Sequence, residues 1–126
     1  MSREIKFRVY DKEKNMWTNF KIFDNIIHFM DKNTGVWFHE KYKAKGRFSL
    51  MQYTGLKDSE GYEIYEDDIV WNEWDEEYQV VIYDDGEYKL MGESHIQNLF
   101  NNLDYIDVRG NVYENSELVK AWYKED

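Results

Sequence analysis

Carboxylates are the side chains through which this sequence could most readily do chemistry. The 126 residues include 26 Asp and Glu, and acids cluster at residues 66–68, 75–77 and 84–85. Carboxylate oxygens are the ligands that Ca²⁺ and Mg²⁺ prefer. None of these clusters has the alternating ligands and terminal Glu of an EF-hand loop. DKNTG at residues 31–35 matches only the beginning of such a loop. We therefore predict solvated acidic loops, with neither a metal nor a cofactor.

The histidines and serines lack the spacing that catalysis needs. His28, His39 and His95 form no HExxH motif, and the chain has no cysteine, so zinc hydrolysis is not predicted. His28 and His39 are expected to meet across a β-hairpin by cross-strand packing. No serine lies in a GxSxG elbow. No catalytic residue is predicted, and the enzymatic alternative left open is a carboxylate-dependent enzyme acting on phosphorylated substrates.

The densest positive charge lies in EKYKAKGRF, residues 40–48. In a strand, Lys41, Lys43, Lys45 and Arg47 would project from one face, because side chains alternate with a period of two. Such a stripe could follow a nucleic-acid backbone. The alternatives are an edge strand protected by lysines or a flexible loop, and a net charge of −10 repels nucleic acid at long range.

Charge is divided between the two halves of the chain. Residues 1–50 hold 11 Lys and Arg against 6 Asp and Glu, whereas residues 51–126 hold 5 against 20. We expect one domain over residues 1–126, with a basic N-terminal lobe over about 1–50 and an acidic C-terminal lobe over about 51–126. Carboxylates at regular spacing can occupy a site built for DNA phosphates, but they also simply keep a protein soluble.

Two tryptophans flank Asn72 and Glu73 beside an acidic loop. Exposed aromatic side chains rimmed by polar residues mark partner surfaces, and core packing is the alternative for each of them. The predicted partner-binding surface combines these tryptophans with neighbouring acids: Trp71, Trp74, Asp67, Asp68, Asp75 and Glu76.

The elements that must position these side chains are mainly strands. Alternating apolar residues predict a strand near residues 5–9, and residues 26–30 and 36–40 flank the turn of a hairpin in which Gly35 supplies positive φ. The strongest hairpin signal is the Asp-Asp-Gly turn at residues 84–86. Further strands are predicted at 48–54 and 106–113, and short helices across 94–102 and 115–122. The fold class is mainly β, with small bent sheets or a partly open barrel and one or two short helices near the C-terminus.

Several segments carry a family resemblance. QYTGLKD at 52–58, Gly61, EIYE at 63–66 and DIV at 68–70 resemble the signature of the YopX family, whose small proteins are found largely in bacteriophages and prophages. REIKFRVYD at 3–11 and GNVYENSEL at 110–118 are similar to its opening and closing segments. In this sequence Asp67 replaces a common glycine and Ser116 a common proline. The resemblance implies a phage or prophage origin and a mostly β fold with a small barrel, and it supplies no catalytic residues.

These observations predict a non-enzymatic phage or prophage accessory protein that binds a host or phage macromolecule, with a protein as the expected partner. The sequence shows neither a secretory signal nor an apolar stretch of about 20 residues, so we expect a cytoplasmic protein that does not enter the membrane. The alternative is a nucleic-acid-binding protein that uses the stripe from Lys41 to Arg47. The sequence leaves the oligomeric state open.

Overall fold

Two compact units make up the chain in the computed structural model, which describes residues 4–44 and 46–123. The first unit is Lys6–Gln52, and the second comprises Met1–Ile5 and Tyr53–Asp126. The first holds 10 Lys and Arg against 5 Asp and Glu, and the second 6 against 21. We call them the basic unit and the acidic unit.

The basic unit consists of short antiparallel strands and one helical turn. Its elements are β1 (Phe7–Asp11), β2 (Met16–Thr18), β3 (Phe20–Phe23), β4 (Ile26–Asp31), β5 (Val36–His39), α1 (Lys41–Ala44) and the first half of β6 (Phe48–Lys57). β1 pairs with β2 and β6, while β4 pairs with β3 and β5. Val9, Phe29 and Phe48 form the buried core of this unit, and the rings of Phe29 and Phe48 stack 5.1 Å apart.

The hairpin between β4 and β5 is confirmed, and Gly35 has the predicted positive φ, at +76°. His28 and His39 are cross-strand partners, and their ring centroids are 6.0 Å apart. Packing between adjacent strands therefore explains why both positions carry an aromatic ring.

The acidic unit contains a five-stranded antiparallel sheet in the order β11-β10-β9-β8-β12. Its strands are β8 (Asp68–Asn72), β9 (Glu77–Asp84), β10 (Glu87–Met91), β11 (Ile96–Asn98) and β12 (Ile106–Asn111). A further strand, β7 (Glu63–Tyr65), pairs with the second half of β6. Two buried apolar clusters support the unit, one centred on Val70 and Leu90 and the other on Ile69 and Val80.

The prediction of a mainly β fold is confirmed, and the strongly bent sheet is present as a curled half-barrel. The predicted helices near the C-terminus are not confirmed as α-helices. Among the described residues the α-helix is α1, and the C-terminal part has 3₁₀ segments at Phe100–Tyr105 and Ser116–Leu118. No helix in the described part of the chain is long and apolar enough to cross a membrane.

Candidate functional site

The turn that joins β8 to β9, residues 72–77, is fixed by its own hydrogen bonds, and we call it the Trp74 turn. Asn72 is fully buried, and its Oδ1 accepts the backbone N–H groups of Trp74 at 2.9 Å and Asp75 at 3.0 Å. Its carbonyl oxygen accepts the N–H of Glu76 at 2.7 Å, and Glu76 has φ of +55°. A short polar side chain at the start of a turn satisfies backbone donors in this way, so the turn has one defined conformation.

Trp74 projects from this turn with 75% of its surface exposed. Its ring lies 5.6 Å from that of Tyr105, which is 43% exposed, and the backbone N–H of Glu73 donates to the carbonyl of Tyr105 at 2.8 Å. Glu73 and Glu76 are exposed beside them. The two rings thus form a solvent-facing aromatic patch with acids at its border.

A polar network runs from the Trp74 turn into the sheet. Gln79 is fully buried, and its Nε2 donates to Asp75 at 2.9 Å and to Glu77 at 3.1 Å, while its Oε1 accepts from Asn72 at 2.9 Å. Gln97 also donates to Asp75, at 2.5 Å. The amide groups therefore hold both carboxylates in place.

His95 faces the same two carboxylates. Its Nε2 lies 3.4 Å from Asp75 Oδ2 and its Nδ1 lies 3.9 Å from Glu77 Oε2. Burial alone would raise the pKa of Asp75, but the hydrogen bonds from Gln79 and Gln97 and the facing His95 outweigh it and lower that pKa below its ordinary value. Asp75 is therefore an anion at neutral pH.

The six residues predicted as a partner surface lie in different surroundings. Trp74 and Glu76 are exposed, whereas Trp71 is half-buried and its ring packs 5.0 Å from that of Tyr78. Asp68 is only 2% exposed, and its carboxylate accepts the backbone N–H of Tyr65 at 2.8 Å. Asp68 therefore shapes the chain internally and is not available to a partner.

The last two predicted acids are half-buried. Asp67 accepts a hydrogen bond from the Tyr113 hydroxyl at 3.0 Å, and Asp75 belongs to the polar network. What remains exposed of the predicted surface is Trp74 with Glu76. The sequence analysis did not find Tyr105, because it lies 31 residues further along the chain, at the end of the 3₁₀ segment Phe100–Tyr105, and no local pattern relates it to Trp74.

The basic segment does not form the strand that its alternating lysines predict. Lys41 and Lys43 are exposed on α1, which precedes a turn at Gly46 with φ of +85°. Positive φ is typical of the residue that ends a helical turn. Lys45, which was also predicted in the stripe, lies outside the described residues.

Arg47 is engaged within the basic unit. Its guanidinium donates to both carboxylate oxygens of Asp11, at 3.1 and 3.0 Å, and to Asp31 at 2.9 Å. The Asp11 side chain is fully buried. These hydrogen bonds raise the pKa of Arg47, so its charge is permanent, and it is committed to two carboxylates rather than to an external phosphate.

Comparisons with known proteins identify the relatives of this chain. A family model for the YopX protein matches residues 6–120. The chain belongs to the YopX family. A crystal structure of protein EF1440 from Enterococcus faecalis is similar at a TM-score of 0.64, with 23% identity over 94% of this chain and 99% of that one. A crystal structure of protein yopX from Bacillus subtilis gives a TM-score of 0.57, with 18% identity over 99% and 100% of the two chains. Among curated proteins there is no significant match.

The YopX-family signature has a structural explanation in this chain. Asp67 lies in the segment that resembles the family signature and has φ of +68°, so the turn does need the left-handed region that glycine favours. Asp58 ends the QYTGLKD segment, and one carboxylate oxygen accepts the N–H groups of Glu60 and Tyr62 while the other accepts that of Val108 at 2.8 Å. These signature residues organise turns and strands of the acidic unit.

Proposed function

We propose that this chain is a non-enzymatic accessory protein of a phage or prophage that acts in the host cytoplasm by binding a protein with a basic surface. The observation that carries the proposal is the exposed Trp74 on a turn with a fixed conformation. The chain belongs to the YopX family, and the phage or prophage origin that the family resemblance implies is part of this proposal.

The Trp74 turn can bind a partner without the cost of ordering a binding surface. Side chains and loops that become ordered on association each cost free energy, and a surface that is already ordered avoids this cost. Asn72 holds the Trp74 turn from a fully buried position, so the indole is presented without a folding step. Trp and Tyr are enriched among the residues that dominate protein interfaces, and here Trp74 and Tyr105 lie side by side.

Charge indicates which partner suits this patch. The acidic unit holds 21 Asp and Glu against 6 Lys and Arg, and Glu73 and Glu76 are exposed beside Trp74. Opposite charges speed association, and salt weakens this effect because it screens exposed charges. We therefore expect a partner with a basic surface around an apolar pocket, and an association rate that falls as salt is added.

The test is an affinity pull-down of the tagged chain from host lysate, with and without nuclease treatment, with bound proteins quantified by mass spectrometry. Trp74→Ala is compared with Tyr83→Ala, which removes another exposed aromatic ring at the far end of β9. We expect a stoichiometric protein that binds the wild type and Tyr83→Ala and is lost from Trp74→Ala.

Two results would contradict the proposal. One is recovery of partners only when nucleic acid is intact, because binding would then be to nucleic acid. The other is equal recovery of the same protein by Trp74→Ala and by the wild type, since the patch would then be dispensable.

A further inference from the structure

Three side chains with metal-binding atoms converge at one end of the strands in the sheet of the acidic unit. Asp75 comes from the Trp74 turn, Glu77 begins β9, and His95 lies in the connection between β10 and β11. One ligand atom from each can be chosen so that all three lie within 4.8 Å of one another. An imidazole nitrogen with two carboxylate oxygens is a mixed donor set of the kind that binds first-row divalent metals.

The position of Glu77 depends on a glycine. A Cβ at Gly92 would lie 2.7 Å from Glu77 Oε2, which is too close for the carboxylate to stay where it is. Gly92 does not have a positive φ, so its backbone is open to other residues and the glycine is needed for space. The N–H of Glu93 donates to the other oxygen, Oε1, at 3.2 Å. The main chain after β10 therefore forms a cradle for this carboxylate.

The side chains behind the ligands are suited to fixing them. Buried Gln79 donates to both carboxylates and is held in turn by Asn72, and Gln97 gives Asp75 a second amide donor. In metal sites the ligating carboxylates are held by hydrogen bonds in this way.

We propose that Asp75, Glu77 and His95 form a binding site for a divalent cation of the Zn²⁺ or Mn²⁺ class. The imidazole favours these ions over Mg²⁺ and Ca²⁺, which select all-oxygen sites. His95 is partly exposed and borders an open depression of about 440 Å³ that runs along residues 91–96. A cation can therefore enter from solvent, and three protein ligands leave coordination positions for water or a partner group. This inference does not depend on the proposed protein partner.

The test is a calorimetric titration of the purified full chain with ZnCl₂, MnCl₂ and MgCl₂, accompanied by NMR of the histidine ring nitrogens. We expect one Zn²⁺ or Mn²⁺ per chain, no comparable binding of Mg²⁺, and a Zn²⁺-induced shift of the His95 ring signals. His95→Ala should abolish this binding, and Gln97→Ala should weaken it by about 10-fold or more, as loss of a supporting hydrogen bond does in other metal sites.

Matched variants separate this site from other metal-binding groups. Glu76→Gln removes an exposed neighbouring carboxylate, and the double variant His28→Gln/His39→Gln removes the cross-strand histidine pair. Both should keep the site. Gly92→Ala should weaken binding with little loss of the circular dichroism signal, because it displaces Glu77 alone. The proposal is overturned if Zn²⁺ binds wild type and His95→Ala equally, if only the histidine-pair variant loses binding, or if neither cation binds.

Discussion

Arg47 shows how a single side chain connects two hairpins of the basic unit. Asp11 begins the turn between β1 and β2, and Asp31 begins the turn between β4 and β5. Each carboxylate also accepts two backbone N–H groups of its own turn. One guanidinium therefore donates hydrogen bonds to both turns and fixes them relative to each other.

Replacing Arg47 with Met should destabilise the protein strongly. Asp11 is fully buried, and removing one partner of a buried ion pair typically costs about 3–5 kcal/mol, because the other charge is left uncompensated. Urea denaturation followed by circular dichroism gives the free energy of unfolding. Arg47→Met/Asp11→Asn is the control, and it should recover part of the loss. Equal stability of Arg47→Met and wild type would show that the cluster contributes nothing.

Asp31 should make stability depend on acid pH. The hydrogen bond from Arg47, opposed by burial and assisted by the N–H groups of Asn33 and Thr34, lowers the pKa of Asp31 below its ordinary value of 3.8. A lowered folded-state pKa stabilises the protein above the unfolded pKa, and this contribution is lost as the pH falls through the folded value. The unfolding free energy of Asp31→Asn should fall less steeply below about pH 4 than that of the wild type. Parallel curves would contradict this assignment.

Asp67 combines an unfavourable backbone with a useful side chain. Its φ of +68° lies in the left-handed region, which costs an ordinary residue with a Cβ about 1–2 kcal/mol and Asp less, while its carboxylate accepts from Tyr113. Asp67→Ala should therefore be less stable than Asp67→Gly by about 1 kcal/mol. Thermal denaturation of the two variants isolates the backbone effect, since neither retains the carboxylate that accepts from Tyr113. The reverse order of stability would refute the strain argument.

For single residues, the sequence predicts backbone conformations better than side-chain contacts. Positive φ at Gly35 and the pairing of His28 with His39 followed from local patterns and are confirmed. The ion pairs of Arg47 join residues 36 and 16 positions apart, and the charge alternation around it looks identical in a strand and in a loop. Its partners are set by how the hairpins pack, which no local pattern encodes.

The hairpin of β9 and β10 is the element that local sequence determines most directly. Asp85 and Gly86 have φ of +50° and +83°, as a two-residue turn of the type that suits twisted strands requires. The strands pair from Glu87 with Asp84 to Met91 with Val80. An Asp-Gly pair between alternating apolar residues is the strongest short-range signal for such a turn.

Gly86→Ala tests whether this turn contributes through conformation alone. A Cβ at Gly86 would meet no atom within 4 Å, so a clash cannot contribute. The remaining cost is the left-handed backbone, about 1 kcal/mol or somewhat more, and it should appear as a lower urea midpoint with an unchanged slope. Asp84→Ala, which leaves the two turn residues intact, is the control. An unchanged midpoint for Gly86→Ala would show that the turn is not held in this conformation.

The segment after β10 shows where element prediction fails. Ile96, Leu99 and Phe100 have helical spacing, but Ile96 lies in β11 and pairs with Met91 of β10. Of the three residues only Leu99 is buried. A short apolar run fits a helix or a strand equally well. Here an open edge of β10 was available for pairing, and sheet formation prevailed over the local pattern.

Across the whole molecule, the basic unit and the acidic unit differ in chemistry as the charge pattern of the sequence indicates. The division at residues 52 and 53 lies close to the point where the sign of the charge changes. Composition could indicate that the acidic part is suited to a basic partner. Composition could not identify the exposed residues. Asp68 is an acid like Glu76 but is buried, and Trp71 is a tryptophan like Trp74 but is half-buried.

Binding of a protein by the aromatic patch on the Trp74 turn is tested most directly by calorimetry, which measures the affinity of the captured partner for purified variants. Replacing an interface tryptophan that dominates binding with alanine typically costs about 2 kcal/mol or more of binding free energy. This corresponds to a roughly 30-fold larger dissociation constant. We predict a loss of this size for Trp74→Ala and an unchanged affinity for Tyr83→Ala. Equal affinities for wild type and Trp74→Ala, with both folded, would contradict the account.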